Sequence, residues 1–167
     1  ILFRALKTAG YTSQSDIQTT KQASAKISIL IPARNEEEHL KKCLEAILNQ
    51  HDIHLIEEVL VLNDHSTDNT KKIVENLQNP LIRCLSLPDS ITGKKAAITY
   101  GVKQSKASVI ALTDADCIPE KNWIKTISNQ YTNSSTLIFT TGPVCIQNPK
   151  NVLERFQSLD FMANMAM

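Results

Sequence analysis

The sequence predicts an α/β fold, a mostly parallel twisted sheet flanked by helices. Apolar, strand-like runs alternate with stretches of helical period, and alternation of this kind favours a parallel sheet covered on both faces. Each of four such runs discharges into a polar cluster, which puts reactive side chains on loops at one rim of the sheet. No internal repeat or low-complexity segment competes with that architecture.

From Ala9 to Lys26 the chain is rich in Thr, Ser, Gln and Lys without a sustained apolar period, so residues 1–26 are expected to form a linker or juxtamembrane segment. The folded domain is expected from Ile27 to Met167 and to be incomplete at its C-terminal end. Its first strand is Ile27 to Pro32, followed by a helix from about Glu36 to Gln50 in which Leu40, Cys43, Leu44 and Ile47 share one face. Val59 to Asn63 is a second strand. Ser66 or Thr67 can cap the helix that carries Ile73, Val74 and Leu77. Ile82 to Leu87 reads as a third strand, Lys94 to Gln104 as a third helix and Val109 to Leu112 as a fourth strand, after which Pro119 and Glu120 open another helix.

Bulk properties narrow the function classes. The 167 residues are 42% hydrophobic and 21% charged with a net charge of +1, an ordinary globular composition that gives no electrostatic argument for nucleic acid. No apolar run is long enough to span a bilayer. Four scattered cysteines show neither zinc-ligand nor redox-pair spacing and read as reduced thiols, with Cys43 and Cys84 in the core. The chain opens Ile1-Leu2-Phe3-Arg4 without an initiator Met, which suggests a piece of something longer.

The run Val109-Ile110-Ala111-Leu112-Thr113-Asp114-Ala115-Asp116 carries the most chemistry. Burying its apolar part sets two carboxylates at a strand's carboxyl end, where open α/β sheets bind ligands. Neighbouring carboxylates repel unless a cation offsets them, and hard oxygen donors suit Mg²⁺ or Mn²⁺, which take further ligands from water and phosphate. Asp-x-Asp also occurs in turns and helix caps, so the surrounding clusters matter. These are Pro32-Ala33-Arg34-Asn35-Glu36-Glu37, Asn63-Asp64-His65-Ser66-Thr67-Asp68 and Thr92-Gly93-Lys94-Lys95.

In that order, and over roughly Ile27 to Val144, the four clusters resemble the signature of family 2 glycosyltransferases. The resemblance implies the Rossmann-like, nucleotide-binding half of the glycosyltransferase A-type fold. It further implies an inverting, metal-dependent transfer of a sugar from a nucleotide-diphospho-sugar, a uridine one by preference, to a glycan, lipid or polysaccharide acceptor. Pro32, Ala33 and Glu36 match the loop that holds the nucleoside, Asp64 the uracil-contacting position, and Lys94 the lysine near the donor phosphates. Asp114, Ala115 and Asp116 match the metal motif, with Asp116 as the direct metal ligand and Asp114 on the ribose or the metal's waters. Asn63 and His65 replace the family's commoner Asp and Gly, and Lys95 replaces a small residue. A Gly there often serves a positive φ, which His tolerates better than bulky residues do.

Several residues have a plainer reading beside the functional one. Glu37 and Glu38 suit the first turn of a helix through its dipole, Asp68 and Ser66 suit helix capping, and a Lys pair suits a solvated face. Trp123 reads as packing beside Ile124 and Ile127. Thr140 to Val144 is either a strand ending in a Gly-Pro turn or the strand beside an acceptor cleft. Residues Val152 to Met167 form an apolar helical face that suits a buried helix, a membrane surface or a missing domain.

The family's acidic catalytic-base motif and its Gln-x-x-Arg-Trp motif do not occur in these residues. The general base is therefore unknown and expected beyond Met167, and the chain alone is expected not to turn over efficiently. If the apolar start is the end of a membrane helix with a basic flank, the full-length protein is membrane-anchored with this domain on the cytoplasmic face. Two other readings stay open. A nucleotidyltransferase that makes nucleotide sugars would carry a Gly-rich basic loop after its first strand, where this chain is acidic. A noncatalytic module would bind a nucleotide or glycan without transferring it.

Overall fold

The computed structural model describes residues 2–4, 25–133, 139–140, 142, 151–153 and 155. Strands β1 (Leu2–Arg4), β2 (Ile27–Ala33), β3 (Ile56–Asn63), β4 (Ile82–Ser86), β5 (Val109–Leu112) and β6 (Phe139–Thr140) form one sheet in the order β4-β3-β2-β5-β1-β6. The pairs β2–β3, β3–β4 and β2–β5 are parallel, whereas β1 lies antiparallel to β5 and β6. The α-helices described over their full length are α1 (Leu40–Leu48), α2 (Thr70–Asn76), α3 (Lys94–Gln104) and α4 (Trp123–Thr132), and a 3-10 turn, Ile53–Leu55, leads into β3. The mostly parallel α/β architecture therefore matches the expectation.

Side-chain alternation along the strands sorts the core into two layers. Ile27, Ile29 and Ile31 of β2 pack with Val59, Val61, Val109 and Ala111 against Leu40, Cys43, Leu44 and Ile47 of α1 and Ile124, Ile127 and Tyr131 of α4. Leu30, Leu60, Leu62, Ile110 and Leu112 face the other way, onto Ala97 of α3. Both faces of β2 are covered, which is why its sequence is apolar nearly throughout. Fully burying each such aliphatic side chain contributes about 1.5–3 kcal/mol, so the layered strands are the main source of stability. Gly101 lets α3 approach closely: a Cβ there would lie 2.7 Å from Leu62 Cδ1, inside the filled layer.

The chain runs β2, β3, β4 outward, then crosses back over the α3 face to β5 on the opposite side of β2. The strand order thus reverses at β2 and β5, and the loops leaving their carboxyl ends diverge into a crevice. That crevice receives the first and fourth polar clusters.

Several boundaries differ from the sequence reading. Leu2–Arg4, expected inside a linker, form β1 and supply backbone partners to β5, which would otherwise end the described sheet on that side. The remainder of the expected linker, residues 5–24, lies outside the described residues. Helix α1 begins at Leu40 rather than near Glu36, because Glu36 to His39 close a turn in which the Glu36 carbonyl accepts from His39 N (3.2 Å) and Leu40 N (2.9 Å). Pro119 and Glu120 precede α4 instead of opening it, and Trp123 N donates to Glu120 O at 2.9 Å. Among the described residues no helix is long and apolar enough to cross a membrane. Of the apolar face expected from Val152 to Met167, Val152 and Leu153 are helical and exposed; residues 156–167 lie outside the described residues.

Candidate active site

The loops after β2 and β3 are built as one unit. Asn35 and His65 at their tips adopt left-handed backbone, φ 56° and 55°. Position 65 thus has the positive φ that the commoner glycine would serve, and His65 accommodates it. Asn35 N donates to Ser66 Oγ (3.0 Å), Thr67 N to Asn35 Oδ1 (2.8 Å), Glu36 N to Thr70 Oγ1 (2.8 Å) and Glu37 N to Asp68 Oδ2 (3.0 Å). These bonds fix the backbone on which Glu36 stands.

Capping differs from the expectation. Neither Ser66 nor Thr67 caps α2. Asp68, also expected to cap, accepts through Oδ1 from the N–H of Thr70, the first residue of α2, at 2.9 Å, and Ser66 Oγ holds the first loop. Glu37, expected to act on its own helix's dipole, reaches across with Oε2 to accept from Asn69 N and Nδ2, both at 2.9 Å. The start of α2 therefore receives charge from its own loop through Asp68 and from the neighbouring loop through Glu37, the second a tertiary contact invisible to local pattern.

Asp64 is buried directly after β3, and both its oxygens are engaged. Oδ1 lies 2.9 Å from His65 Nδ1, and Oδ2 accepts from Gly93 N at 2.9 Å with Arg34 Nη1 3.9 Å away. The His65 hydrogen bond, then the Gly93 amide and Arg34, outweigh burial and hold the Asp64 carboxyl below the usual range. Asp64 thereby ties the second loop to the third, where Gly93 (φ 90°) turns the chain into α3. Sequence reasoning had no signal for this tie or for Arg34 and His65 as its supports, because their partners lie in separate loops.

Lys94, the first residue of α3, places Nζ 2.6 Å from Asp114 Oδ1. Beyond the end of β5 the chain turns at Ala115 and Asp116: Ala115 is buried, the Asp114 side chain is half exposed and Asp116 is exposed. The turn is pinned at the Asp114 carbonyl, which accepts from Cys117 N (3.2 Å) and from the Cys43 thiol (3.6 Å). Burial, followed by repulsion from Cys117, Asp116 and Asp114, pushes the Cys43 thiol up to about 12, so it remains a neutral donor from the core. Glu36 faces the same carboxylates: burial first, then the charges of Asp116 and Asp114, raise its carboxyl above the usual range. Pro32 and Ala33 end β2 beneath this cluster, and Ala33 O accepts from Asp64 N at 2.9 Å.

The donor set fits a hard divalent cation held in part by substrate. Among the described residues no three His, Cys, Asp or Glu side chains converge as a complete metal cage. A half-exposed and an exposed carboxylate two residues apart suit Mg²⁺ or Mn²⁺, which keep waters and recruit phosphate oxygens. Glu36, Asp64, Lys94, Asp114 and Asp116 thus gather on one rim.

The family described as glycosyl transferase family 2 matches residues 28–160. The chain belongs to that family. Among curated glycosyltransferases, AglE of Haloferax volcanii is 33% identical over 100 residues, which are 59% of this chain and 33% of AglE. The probable glycosyltransferase YdaM of Bacillus subtilis is 36% identical over 100 residues, 58% of this chain and 24% of its own length. The chain therefore spans a third or less of these family members. Among solved structures, S. aureus TarS in complex with UDP-GlcNAc superposes with a TM-score of 0.56 at 27% identity, covering 62% of this chain and 30% of that one. Glucosyl-3-phosphoglycerate synthase from Mycobacterium tuberculosis, in complex with Mn²⁺ and UDP, gives a TM-score of 0.57 at 23% identity over 66% of this chain and 40% of that one. This last likeness concerns the glycosyltransferase A-type fold alone.

Proposed function

We propose that this chain is the donor-binding part of an inverting, metal-dependent glycosyltransferase that takes a sugar from a UDP-sugar to a glycan or lipid acceptor. The observation that carries the reading is the solvent-accessible pair Asp114 and Asp116 at the sheet's switch point with Lys94 against Asp114. Membership of the family and the UDP-GlcNAc complex of TarS support the nucleotide class.

A divalent ion bound at Asp116 and Asp114 would act as a Lewis acid, neutralising charge on the diphosphate as its bond to the sugar breaks. Lys94 contributes a point charge to the same phosphates. Glu36, standing on the stitched first loop, offers a carboxylate to ribose hydroxyls or a base N–H. Asp64 holds the second and third loops in register, so nucleoside and phosphate subsites keep a fixed separation. Acceptor activation needs a base within hydrogen-bond reach of the acceptor hydroxyl, and we assign that role to none of these residues.

Titration calorimetry with UDP, with and without Mn²⁺, tests the proposal. Mn²⁺-dependent UDP binding that Asp116→Ala removes is the expected result. Binding indifferent to both Mn²⁺ and Asp116→Ala would sink the metal-dependent reading.

A further inference from the structure

The Lys94–Asp114 pair has a consequence beyond donor binding. Its Nζ···Oδ1 distance is 2.6 Å, a direct charge-assisted contact on a carboxylate that the proposed function gives to the metal. Among the described residues Lys94 is the only cation paired with Asp114, and no cation pairs with Asp116 or Glu36. The three carboxylates lie in one another's field: Asp116 and Asp114 both disfavour the charged form of Glu36. His39 offsets part of the repulsion at Glu36, and of the Asp114–Asp116 pair only Asp114 is met by an ammonium group, that of Lys94, among the described residues.

The backbone that presents this group is held by hydrogen bonds on both sides of Gly93. Gly93 N is held by Asp64 Oδ2 at 2.9 Å, and Gly93 O receives the first helical bond of α3, from Ala97 N at 2.9 Å. The Lys94 side chain itself is 60% exposed, so its ammonium has solvent-filled space into which other rotamers fit. Exposure on both sides of the pair also keeps the contact weak through solvent screening.

We propose that Lys94 is the site's built-in counter-cation: with no donor bound its ammonium stands on Asp114 in place of the metal, and the donor's diphosphate draws it off. Metal and nucleotide then load together, because each ligand removes an obstacle to the other. A metal ion arriving alone competes with Lys94 for Asp114. A diphosphate arriving with the metal offers the ammonium a better partner and leaves the carboxylate open. The inference rests on the reading of Asp114 and Asp116 as metal-holding residues, and it concerns the nucleotide-free state, which donor-binding experiments do not probe.

The test is Mn²⁺ binding to the full chain without nucleotide, followed by the paramagnetic resonance signal of free Mn²⁺, for wild type, Lys94→Gln and Lys95→Gln. Lys95 is exposed, lines the adjoining cleft of about 610 Å³ with Tyr100 and Lys103, and makes no ion pair among the described residues. Removing it changes the overall charge equally without freeing Asp114. Lys94→Gln is expected to bind Mn²⁺ about two- to fivefold more tightly, the range for loss of an exposed competing pair, while Lys95→Gln stays at the wild-type value. Lys94→Gln should also bind UDP more weakly at saturating Mn²⁺. Unchanged or weaker Mn²⁺ binding by Lys94→Gln, or an equal gain in both variants, would overturn the proposal. Failure of wild type to bind UDP with Mn²⁺ would instead count against the donor-site reading, so the two arms separate the two failures. Thermal unfolding confirms that each variant is folded, as expected for substitutions of exposed side chains.

Discussion

At the scale of single residues, site chemistry follows from which carboxylates are engaged by protein donors. Asp64 is buried and bonded on both oxygens, so it organises loops, whereas Asp116 is exposed and has no hydrogen-bond or ion-pair partner among the described residues. Glu36 lies between these extremes, raised by burial and by repulsion from Asp116 and Asp114. A carboxyl whose folded pKa is raised makes the fold less stable once pH passes its ordinary value of about 4.3, and the loss is complete above the raised value. Glu36→Gln removes that repulsion without changing shape. It should raise Tm at neutral pH by about 1–2 °C, an advantage that vanishes below about pH 4, while weakening UDP binding. A Tm that falls, with UDP affinity intact, would place Glu36 in a structural role. Residue types at the site were legible because each follows an apolar run. Their partners were not, since the bonds Asn35–Thr67, Glu37–Asn69 and Asp64–Gly93 each join separate loops.

At the scale of elements, strands β2, β3 and β5 were readable because their apolar runs are unbroken, and α3 and β5 run over the expected residues. Helix starts were less so. The start of α1 moved to Leu40 and that of α4 to Trp123, because turn hydrogen bonds took the residues that local preference assigned to a first turn. A second polar assembly, at the amino ends of the strands, had no sequence signal at all. Glu58 of β3 is buried, and its Oε1 accepts from Ser28 Oγ (3.0 Å) and Lys106 N (2.6 Å) while Oε2 accepts from Arg83 Nη2 (2.7 Å). Burial pushes its carboxyl up, yet the Lys106 amide, Arg83 and Ser28 together outweigh this and hold it below the usual range. Such a group stabilises the fold fully above its ordinary pKa of about 4.3, and that contribution is lost as pH falls through the lower folded value. Glu58→Gln should cost about 2–3 kcal/mol at neutral pH, discounted because Arg83 is 42% exposed, and should flatten the acid limb of the stability curve below about pH 4. Denaturant melts at stepped pH measure both. An unchanged acid limb would remove Glu58 from the account.

At the scale of the whole molecule, the strand order reverses at β2 and β5, and that reversal assembles the rim from segments distant in sequence, joined by bonds that span 29 residues (Asp64–Gly93), 31 (Asn35–Ser66) and 71 (Cys43–Asp114). A ligand that bridges these loops stabilises them jointly. UDP and Mn²⁺ together at about 100 times Kd should stabilise the fold by about 2.7 kcal/mol, or about 5–10 °C in Tm for a chain of this size. Differential scanning calorimetry reads the shift, and Asp116→Ala should abolish it. A shift of the same size from Mn²⁺ alone would mean that the nucleotide adds nothing to the closure of the rim.

By itself the sequence determined the α/β class, the placement of four polar clusters after four apolar runs, and a resemblance strong enough to anticipate the family, because apolar period and residue type are local properties. Only the tertiary structure decided which carboxylates are engaged and which are open. It also decided that His65 and Gly93 hold Asp64, and that Lys94 rests on Asp114. Those outcomes depend on hydrogen bonds and charges between loops distant in the chain, whose distances are set by strand order and helix crossing, and neither is encoded in any single segment.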